Sequence, residues 1–291
     1  MATVRPLPQP ATEYAVSALA QALQHRAPVA VITGAGVSTG SGIPDYRDHQ
    51  GEWKRGSPMQ LNEFVGSQAG RQRYWARSLV GWRTVESAQP NRAHTALVAL
   101  ERAGVIGSVI TQNVDGLHQT AGSQSVLDLH GRLDRVECLG CSRVIVRAEH
   151  QRELEAANPG WAEAATQAAV TPDGDAELVG VDYSRFVVPA CQNCGGLLKP
   201  AVVFFGETVP TARVEAAFAA VANAGAVLVV GSSLMVWSGY RFVRAAASAG
   251  QPVYVLGLGV TRGDAEASAR VTMDCGDGLE ALANCIESAH G

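Results

Sequence analysis

The strongest constraint on the fold is a short apolar run that leads directly into a glycine-rich turn. Val29–Ile32 is such a run, and Thr33 joins it to a stretch that begins at Gly34. A buried strand that ends in a glycine turn is how nucleotide-binding α/β units begin. Further strand-like runs follow along the chain, at 105–111, 125–129, 201–205, 226–230 and 252–256.

Segments with helical spacing of their apolar residues alternate with these runs. They lie at 10–26, 91–102, 211–222, 240–249 and 279–288, and residues 51–90 are predicted to be helices and loop. Alternating strands and helices favour a parallel sheet that is covered on both faces. We therefore predict an α/β fold: a Rossmann-like, doubly wound parallel sheet with a smaller inserted zinc-binding module.

The zinc module is predicted from two C-x-x-C pairs, Cys138 with Cys141 and Cys191 with Cys194. Each pair can present two thiolates from a tight turn, and two pairs make the closed four-cysteine site typical of structural zinc. Redox chemistry is the alternative, although one pair suffices for it. We predict one structural zinc ion per chain and assign it no catalytic role.

These patterns predict two domains. Residues 1–50, 91–135 and 200–291 form the Rossmann-like nucleotide-binding domain. Residues 51–90 and 136–199 form a small domain that contains a helical part and the four-cysteine module.

Composition and charge argue against several function classes. The formal net charge is -4 and the isoelectric point is about 6.0, so we expect no nucleic-acid partner held through its phosphates. No run approaches the ~20 apolar residues of a membrane span. The first residues lack the charged start and apolar core of a signal peptide. We expect a cytoplasmic protein without a membrane partner.

Polar motifs follow three of the predicted strands. In Gly34–Arg47, small residues let the backbone approach a pyrophosphate, and N–H groups of a following helix attract the anion. Thr111–His118 carries amide and carboxylate groups that can bond ribose or a carboxamide. Asp128–Gly131 contains a histidine suited to proton transfer near neutral pH. Each motif taken alone also fits a structural turn.

Two later motifs complete the pattern. Leu198–Glu207 is a strand and loop whose backbone can pair with an added peptide strand, although a simple core strand is the alternative. Gly231–Leu234 follows an apolar run and places small hydroxyl residues where a phosphate or ribose can bind.

Together these motifs resemble those of the sirtuin family, the NAD-dependent protein-lysine deacylases. Residues 34–47 are similar to the family's GAG-x-S…GIPD-[FY]-R signature, 111–118 to its TQN-x-D-x-LH block and 128–131 to its LHG motif. Residues 198–207 are similar to its KP-x-VVFFGE stretch and 231–234 to its G-[TS]-S-L. The motifs follow the family's order along nearly the whole chain.

The resemblance implies an enzyme that takes acyl-lysine proteins or peptides and NAD, and releases nicotinamide and 2′-O-acyl-ADP-ribose. It implies that His130 is the catalytic base and that Asn113 and Asp115 act beside it. It implies a peptide contact at Val202, Phe204, Phe205, Gly206 and Glu207. It implies NAD contacts at Gly34, Ala35, Gly36, Ser38, Ile43, Pro44, Asp45, Tyr46, Arg47, Gln112, Asn113, Asp115, Gly231, Ser232, Ser233, Gly257, Leu258, Gly259 and Cys275.

One position departs from the family pattern: Gly257 stands where sirtuins usually have the Asn of an N-x-G motif, which removes a side-chain amide from the adenosine ribose. The stretch Ser238–Arg241 resembles the class II branch, which is linked to the removal of lipoyl, biotinyl and other long acyl groups.

Two alternative functions stay open. One is mono-ADP-ribosyl transfer to protein, and the other is a non-catalytic NAD or zinc interaction module. The presence of His130, Asn113 and Asp115 argues against the second.

Overall fold

The computed structural model describes residues 10–54, 58–161, 169–178 and 180–288. Of the predicted domain segments, 1–50, 51–90, 136–199 and 200–291 include positions outside these ranges. So does part of the alanine-rich stretch between the two cysteine pairs.

The strands form two main sheets and a short hairpin. Their bounds are β1 Val29–Thr33, β2 Ile106–Thr111, β3 Val126–Asp128, β4 Gly131–Cys138, β5 Val144–Val146, β6 Ala169–Val170, β7 Ala176–Glu177, β8 Leu198–Val202, β9 Ala226–Val230, β10 Val253–Leu256 and β11 Ala269–Val271. Six of them make a fully parallel sheet in the order β11-β10-β9-β1-β2-β3. The predicted Rossmann-like parallel sheet is therefore confirmed.

The helices are α1 Pro10–His25, α2 Leu61–Gly66, α3 Gln68–Ser87, α4 Arg92–Arg102, α5 Leu117–Ala121, α6 Arg147–Ala157, α7 Thr211–Ala222, α8 Trp237–Ser248 and α9 Cys275–Ser288. Helices α1, α4 and α9 pack on one face of the parallel sheet, and α7 and α8 pack on the other. Alternate residues of β1 point to opposite faces, so Val31 joins the first core and Ile32 the second. Both faces are covered, which explains the continuous apolar runs in the sequence.

A second sheet and a third core lie beside this layer. Strands β5, β4 and β8 form an antiparallel sheet, and an aromatic cluster that includes Phe64, Tyr74, Trp75 and Phe204 packs against it. The antiparallel sheet begins at Gly131, so His130 lies at the junction between the two sheets. The division into two domains stays a prediction.

Several predicted bounds are wrong. The strand predicted at 201–205 is β8, Leu198–Val202, because Phe204 turns away and donates its N–H to the Glu207 side chain at 2.8 Å. Helices α8 and α9 begin earlier than predicted, at Trp237 and Cys275. Strand β11 was not predicted, since Val271 is the one buried residue among its three.

The helix expected directly after the glycine-rich turn is also absent from the described part of the chain. Two 3-10 turns, Ala35–Val37 and Thr39–Ser41, follow Gly34 instead. Gly42 then adopts φ +82 and Pro44 lacks an N–H, which together end any helical path. The next α-helix begins at Leu61. Within the described residues, no helix has the length and apolar character of a membrane span.

Candidate active site

A cavity of about 550 Å³ opens at the carboxyl edge of the parallel sheet. Five strands end beside it, and the residues just beyond them line its wall: Gly34 after β1, Gln112 after β2, His130 after β3, Gly231 after β9 and Gly257 after β10. This edge is where open α/β sheets bind their ligands.

The cavity collects nearly all the predicted NAD and peptide residues. Pro44 is the exception, because it does not line the wall. Those that do are Gly34, Ala35, Gly36, Ser38, Ile43, Asp45, Tyr46, Arg47, Gln112, Asn113, Asp115, Gly231, Ser232, Ser233, Gly257, Leu258, Gly259 and Cys275, together with His130, Val202, Phe204, Phe205, Gly206 and Glu207. Their roles stay predictions, but their convergence is a fact of the structure.

The glycine-rich turn packs against the loop after β9. A Cβ at Gly34 would lie 2.7 Å from the Ser232 Cβ, and one at Gly36 would lie 2.8 Å from the Gly231 carbonyl oxygen. The Gly36 N–H donates to that same carbonyl at 2.9 Å. The two glycines are therefore required for the approach of two loops, in addition to any approach of a ligand.

Asn91 holds this turn from the helix side. Its side-chain amide donates to the Val37 carbonyl at 2.8 Å and to the Ser41 hydroxyl at 2.9 Å, while its oxygen caps α4. The sequence analysis missed this function because an Asn before a helix is predicted to be a cap and nothing more.

Ser38 joins the two polar motifs that lie on neighbouring strand ends. Its hydroxyl donates to Asp115 Oδ2 at 2.6 Å and accepts from Asn113 Nδ2 at 3.0 Å. Asn113 Nδ2 also bonds the Gly34 carbonyl at 3.1 Å, and Asp115 Oδ1 accepts from the Leu117 N–H at 2.9 Å. Both side chains are thus held in one orientation at the cavity wall.

Gln112 bridges two further strand ends. Its side-chain amide donates to the Thr33 carbonyl at 3.1 Å and to the Ser232 hydroxyl at 2.8 Å. A Cβ at Gly239 would lie 2.4 Å from its Oε1, so the start of α8 also closes on it. Gln112 therefore fixes the relative positions of β1, β2 and β9 at the site.

His130 is held by hydrogen bonds at both ring nitrogens. Nδ1 lies 3.0 Å from the Gln112 carbonyl and Nε2 lies 2.8 Å from the Ser238 hydroxyl. Because a carbonyl can only accept, Nδ1 carries the proton and Nε2 is the acceptor. Burial disfavours the imidazolium and lowers the pKa of His130 to about 4. The ring is therefore neutral at pH 7, with its basic nitrogen bonded to a group on the cavity wall.

Two other histidines lie behind the site. His118 Nε2 is 3.0 Å from the Thr33 hydroxyl, and burial lowers the pKa of His118 to about 3. His94 accepts the Asn91 N–H in the cap of α4 at 3.3 Å. Both side chains are fully buried, and neither lines the cavity, whereas His130 does.

The predicted peptide-binding stretch is held in place by a buried lysine. Lys199 Nζ donates to the Val202 carbonyl at 2.6 Å and lies 3.2 Å from both Glu207 Oε2 and Glu137 Oε1. Its side chain is 2% exposed. Gly206, with φ +77, completes the turn. These contacts fix the loop 204–207 along the cavity wall.

The Asp45-Tyr46-Arg47 tail of the first motif packs in an aromatic group. The rings of Tyr46, Trp53 and Phe205 contact one another edge-on, at centroid distances of 5.8–6.3 Å. The Arg47 guanidinium lies 4.0 Å from the Trp53 ring centroid and donates to the Gly51 carbonyl. The Asp45 carboxylate pairs with Lys54.

The loop after β10 is held by other contacts, although Gly257 supplies no side-chain amide. Arg270 donates to the carbonyls of Gly257 and Gly259 and pairs with Asp264. A Cβ at Gly257 would come no closer than 3.7 Å to its neighbours, so a side chain would fit there. Cys275 packs under the same region, and burial raises the pKa of its thiol to about 12, which leaves it protonated.

The four predicted metal ligands form one cluster away from the cavity. The sulfur atoms of Cys138, Cys141, Cys191 and Cys194 all lie within 4.8 Å of one another. The sulfur atoms of Cys138 and Cys194 are 3.4 Å apart, and those of Cys141 and Cys191 are 3.8 Å apart. Zn–S bonds of about 2.3 Å place tetrahedral sulfur ligands ~3.8 Å apart, so the residues fit zinc. All four ligand atoms are cysteine sulfurs, the set typical of a closed structural zinc site.

The sequence analysis missed several residues that line the cavity, among them Tyr74, Asp173 and Ser238. Tyr74 lies in an aromatic-rich helix whose pattern gives no sign of which face meets a cavity. Asp173 belongs to the insertion between the cysteine pairs and meets the site only through tertiary packing. Ser238 was read as part of a branch motif, although its hydroxyl bonds His130.

The fold and the site define the class of protein: an α/β protein with a Rossmann-type sheet, a polar cavity at the carboxyl edge of that sheet and a four-cysteine module. Comparison with known proteins agrees with it. A model of the Sir2 family matches residues 34–238. The chain is similar to the NAD-dependent protein deacetylase of Bordetella bronchiseptica strain RB50, with 57% identity over 249 residues, covering 86% of this chain and 90% of the relative. It is 59% identical over 252 residues to the enzyme of the same name from Xanthomonas axonopodis pv. citri, covering 87% and 85%.

Solved structures give the same result. One, from a study of the mechanism and regulation of Sir2 enzymes, has a TM-score of 0.74 and 28% identity and covers 95% of this chain and 99% of the other. A Sir2 mutant with p53 peptide and NAD has a TM-score of 0.76 and 26% identity, covering 95% and 99%. The chain belongs to the Sir2 family, the sirtuins, and the predicted family is confirmed.

Proposed function

We propose that this chain is an NAD-dependent protein deacetylase. The observation that carries the proposal is the position of the neutral His130 imidazole, which lines the same cavity as Asn113 and Asp115. The loops that begin at Gly34 and Gly231 line this cavity too. The relatives that are 57% and 59% identical carry that name.

Bound NAD supplies a glycosidic bond whose cleavage releases nicotinamide and leaves ADP-ribose as the acceptor of the acyl group. The residues of this chain have to hold it in position, since positioning and electrostatics contribute most where charge develops on a sugar. Ser38 keeps Asn113 and Asp115 side by side, so an amide and a carboxylate act as one unit toward ribose hydroxyls and the carboxamide.

His130 accepts a proton at Nε2. The Nδ1–H bond to the Gln112 carbonyl fixes the tautomer, and the low pKa of His130 keeps Nε2 unprotonated throughout the physiological range. In the structure the Ser238 hydroxyl donates a hydrogen bond to Nε2. A ribose hydroxyl that takes the place of Ser238 at Nε2 would be deprotonated there, as general-base catalysis requires.

The acyl-lysine peptide lies along β8. This strand is at the edge of the antiparallel sheet, in the order β5-β4-β8, so its outer backbone groups can pair with an added strand. Phe205 already makes a parallel bridge with Gln60, which brings the segment before α2 to the same edge. Backbone pairing supports peptide binding with little selection of side chains.

The site also accepts acyl chains longer than acetyl, as in the class II branch. Supporting features are the Ser238–Arg241 stretch and the apolar part of the cavity wall, which is formed by Tyr46, Trp53, Met59, Tyr74 and Phe204. This wall is hydrophobic and largely aromatic, as expected for a pocket that takes an alkyl or lipoyl chain.

Nicotinamide release tests the proposal. NAD is supplied with one peptide in two forms, acetyl-lysine and free lysine, and released nicotinamide is measured by chromatography. The proposal expects release that depends on the acetyl group, and equal release with both peptides would contradict it. Octanoyl and lipoyl forms of the same peptide test the longer-chain proposal, which expects turnover at least as fast as that of the acetyl form.

A further inference from the structure

The basic nitrogen of His130 already has a hydrogen-bond partner within the protein. The ring donates from Nδ1 to the Gln112 carbonyl at 3.0 Å, so Nε2 holds the one acceptor lone pair of the neutral ring. The Ser238 hydroxyl lies 2.8 Å from that nitrogen and donates to it. A second donor can therefore bond Nε2 only if the Ser238 hydroxyl leaves.

The backbones on both sides of this hydrogen bond are fixed. The Val203 N–H donates to the His130 carbonyl at 2.8 Å, and the Gln112 carbonyl holds the ring. On the other side, a Cβ at Gly239 would lie 2.4 Å from Gln112 Oε1, so the start of α8 packs directly against the same glutamine. This packing leaves little room for either backbone to retreat. Rotation of the Ser238 side chain about its Cα–Cβ bond is therefore the change that would release Nε2.

A single contact holds the Ser238 side chain in its position. Ser238 is the second residue of α8, is half-buried and lines the cavity. Serine side chains near helix starts commonly bond backbone groups, but among the described residues the only hydrogen bond of this hydroxyl is the one to His130. The Ser238 carbonyl has a partner of its own, because it accepts from Arg241 Nε at 3.1 Å. Rotation of the side chain therefore costs about one hydrogen bond.

This hydrogen bond favours the neutral form of the ring. A hydroxyl that donates to Nε2 stabilises the imidazole over the imidazolium, which has no lone pair to accept it. Burial has the largest effect on the pKa of His130 and lowers it; Arg241 of α8 and Arg213 of α7 lower it as well, whereas the Gln112 carbonyl raises it. Ser238 thus acts in the same direction as burial and keeps Nε2 unprotonated, but it also blocks that nitrogen.

We propose that Ser238 is a positioning residue: its hydroxyl holds Nε2 of His130 until a ribose hydroxyl of NAD displaces it. The inference rests on the proposed deacetylase function, in which that ribose hydroxyl reaches Nε2. One hydrogen bond replaces another at this step and no proton is transferred, so Ser238 weakens NAD binding by about the strength of one hydrogen bond. A mobile water molecule competes poorly with the tethered hydroxyl, because water loses freedom when it is held at Nε2.

NAD binding tests the inference without any turnover. Calorimetric titration in the absence of acyl peptide gives the dissociation constant of NAD for the wild type and for Ser238→Ala. We expect Ser238→Ala to bind NAD about three- to tenfold more tightly, because no bond to Nε2 has to be broken. An NAD analogue that lacks both hydroxyls of the nicotinamide ribose cannot displace Ser238, so it should bind to both proteins equally.

The pH dependence of turnover gives a second readout. The acid limb of kcat/KM for NAD reports the protein before NAD binds, in which Ser238 stabilises the neutral ring; the acid limb of kcat reports the complex, in which Ser238 has left Nε2. Ser238→Ala should therefore raise the pKa of His130 before NAD binds and move the kcat/KM limb to higher pH, without moving the kcat limb. Ser238→Thr keeps a hydroxyl and should restore the position of the kcat/KM limb.

Ser248→Ala is the matched control. It removes a hydroxyl from the exposed end of the same helix, away from the cavity wall, and should bind NAD as the wild type does. A Ser238→Ala protein that binds NAD no more tightly than this control, or that gains as much affinity for the analogue as for NAD, would overturn the inference. Absence of nicotinamide release by the wild type with the acetyl peptide would instead overturn the proposed function, whatever the titrations show.

Discussion

At the residue scale, the site depends on what surrounds one imidazole. His130 has a carbonyl at Nδ1, a hydroxyl at Nε2 and a buried setting that lowers its pKa to about 4. A histidine in water titrates near pH 6.5. The surroundings thus give a ring with a fixed tautomer and an unprotonated Nε2, and unlike His94 and His118 this ring lines the cavity.

Replacement of this ring tests its role. We expect His130→Ala to fold, to retain zinc and to lose deacetylation by about 10²–10⁴-fold, the usual cost of removing a general base. His25→Ala, at the exposed end of α1, is the control and should retain wild-type rates. Steady-state turnover with the acetyl-lysine peptide measures both, and a His130→Ala rate close to that of the control would remove the imidazole from the mechanism.

The pH dependence follows from the same burial. Because the pKa of His130 is lowered, the neutral base persists as the pH falls below 6.5, and it is lost only toward about 4. The acid limb of kcat/KM, which reports the free enzyme, should therefore lie well below pH 6. Rates measured in short assays, with folding checked at each pH, give the profile. A limb at pH 6.5 or above would show that the buried setting does not govern the base.

At the element scale, β8 and the loop after it are set by Lys199. The Lys199 ammonium group is bonded to a carbonyl and two carboxylates in place of water. The loop after β8 places Phe204, Phe205 and Glu207 along the cavity. A buried charge with its partners in place is tolerated, whereas a carboxylate left alone is costly.

Removal of the cation should therefore destabilise the fold. We expect Lys199→Met to lower the free energy of unfolding by about 3–5 kcal/mol, since Glu207 and Glu137 both lose their cationic partner. The double variant Lys199→Met, Glu207→Gln should recover part of the loss. Urea denaturation measures both, and a Lys199→Met protein as stable as the wild type would contradict the assigned role.

The elements also show what the sequence can predict. Periodicity gave α7 at 211–222 and β9 at 226–230 with their observed bounds, because apolar spacing reports burial directly. It failed after Gly34, where a helix was expected, since the 3-10 turns there are stabilised by contacts with Gly231 and Asn91 rather than by local preference. It also failed at β8, where the end of the strand is set by the Glu207 side chain.

In the candidate site, too, some residues could be predicted from the sequence and others could not. The residues His130, Asn113 and Asp115 were predicted because they end strands and fit a family pattern. Asp173 and Tyr74 were not, because a hairpin in the insertion and a face of α3 reach the cavity only through long-range packing. Spacing along the chain carries no information about such contacts.

At the scale of the whole molecule, two sheets with different strand patterns meet at His130. Its carbonyl accepts the Val203 N–H at 2.8 Å, one residue beyond β8, while β3 precedes it in the parallel sheet. The four cysteines close the far end of the antiparallel sheet, with Cys138 ending β4. The metal module would therefore support the wall of the cavity without taking part in the chemistry.

Loss of the metal should accordingly act through stability. We expect Cys141→Ser to release zinc and to lower the melting temperature by several degrees, because metal binding is coupled to folding. Cys285→Ser, in α9 and outside the cluster, is the control and should retain both. Metal analysis and thermal unfolding provide the readouts. A Cys141→Ser protein that is metal-free yet as stable as the control would contradict a structural role.

Product analysis tests the central claim most directly. The wild-type protein is incubated with NAD and an acetyl-lysine peptide, and all products are identified by mass spectrometry. The account predicts equal amounts of nicotinamide, free-lysine peptide and acetyl-ADP-ribose. ADP-ribose attached to protein or peptide without loss of the acetyl group, or no consumption of NAD at all, would contradict it.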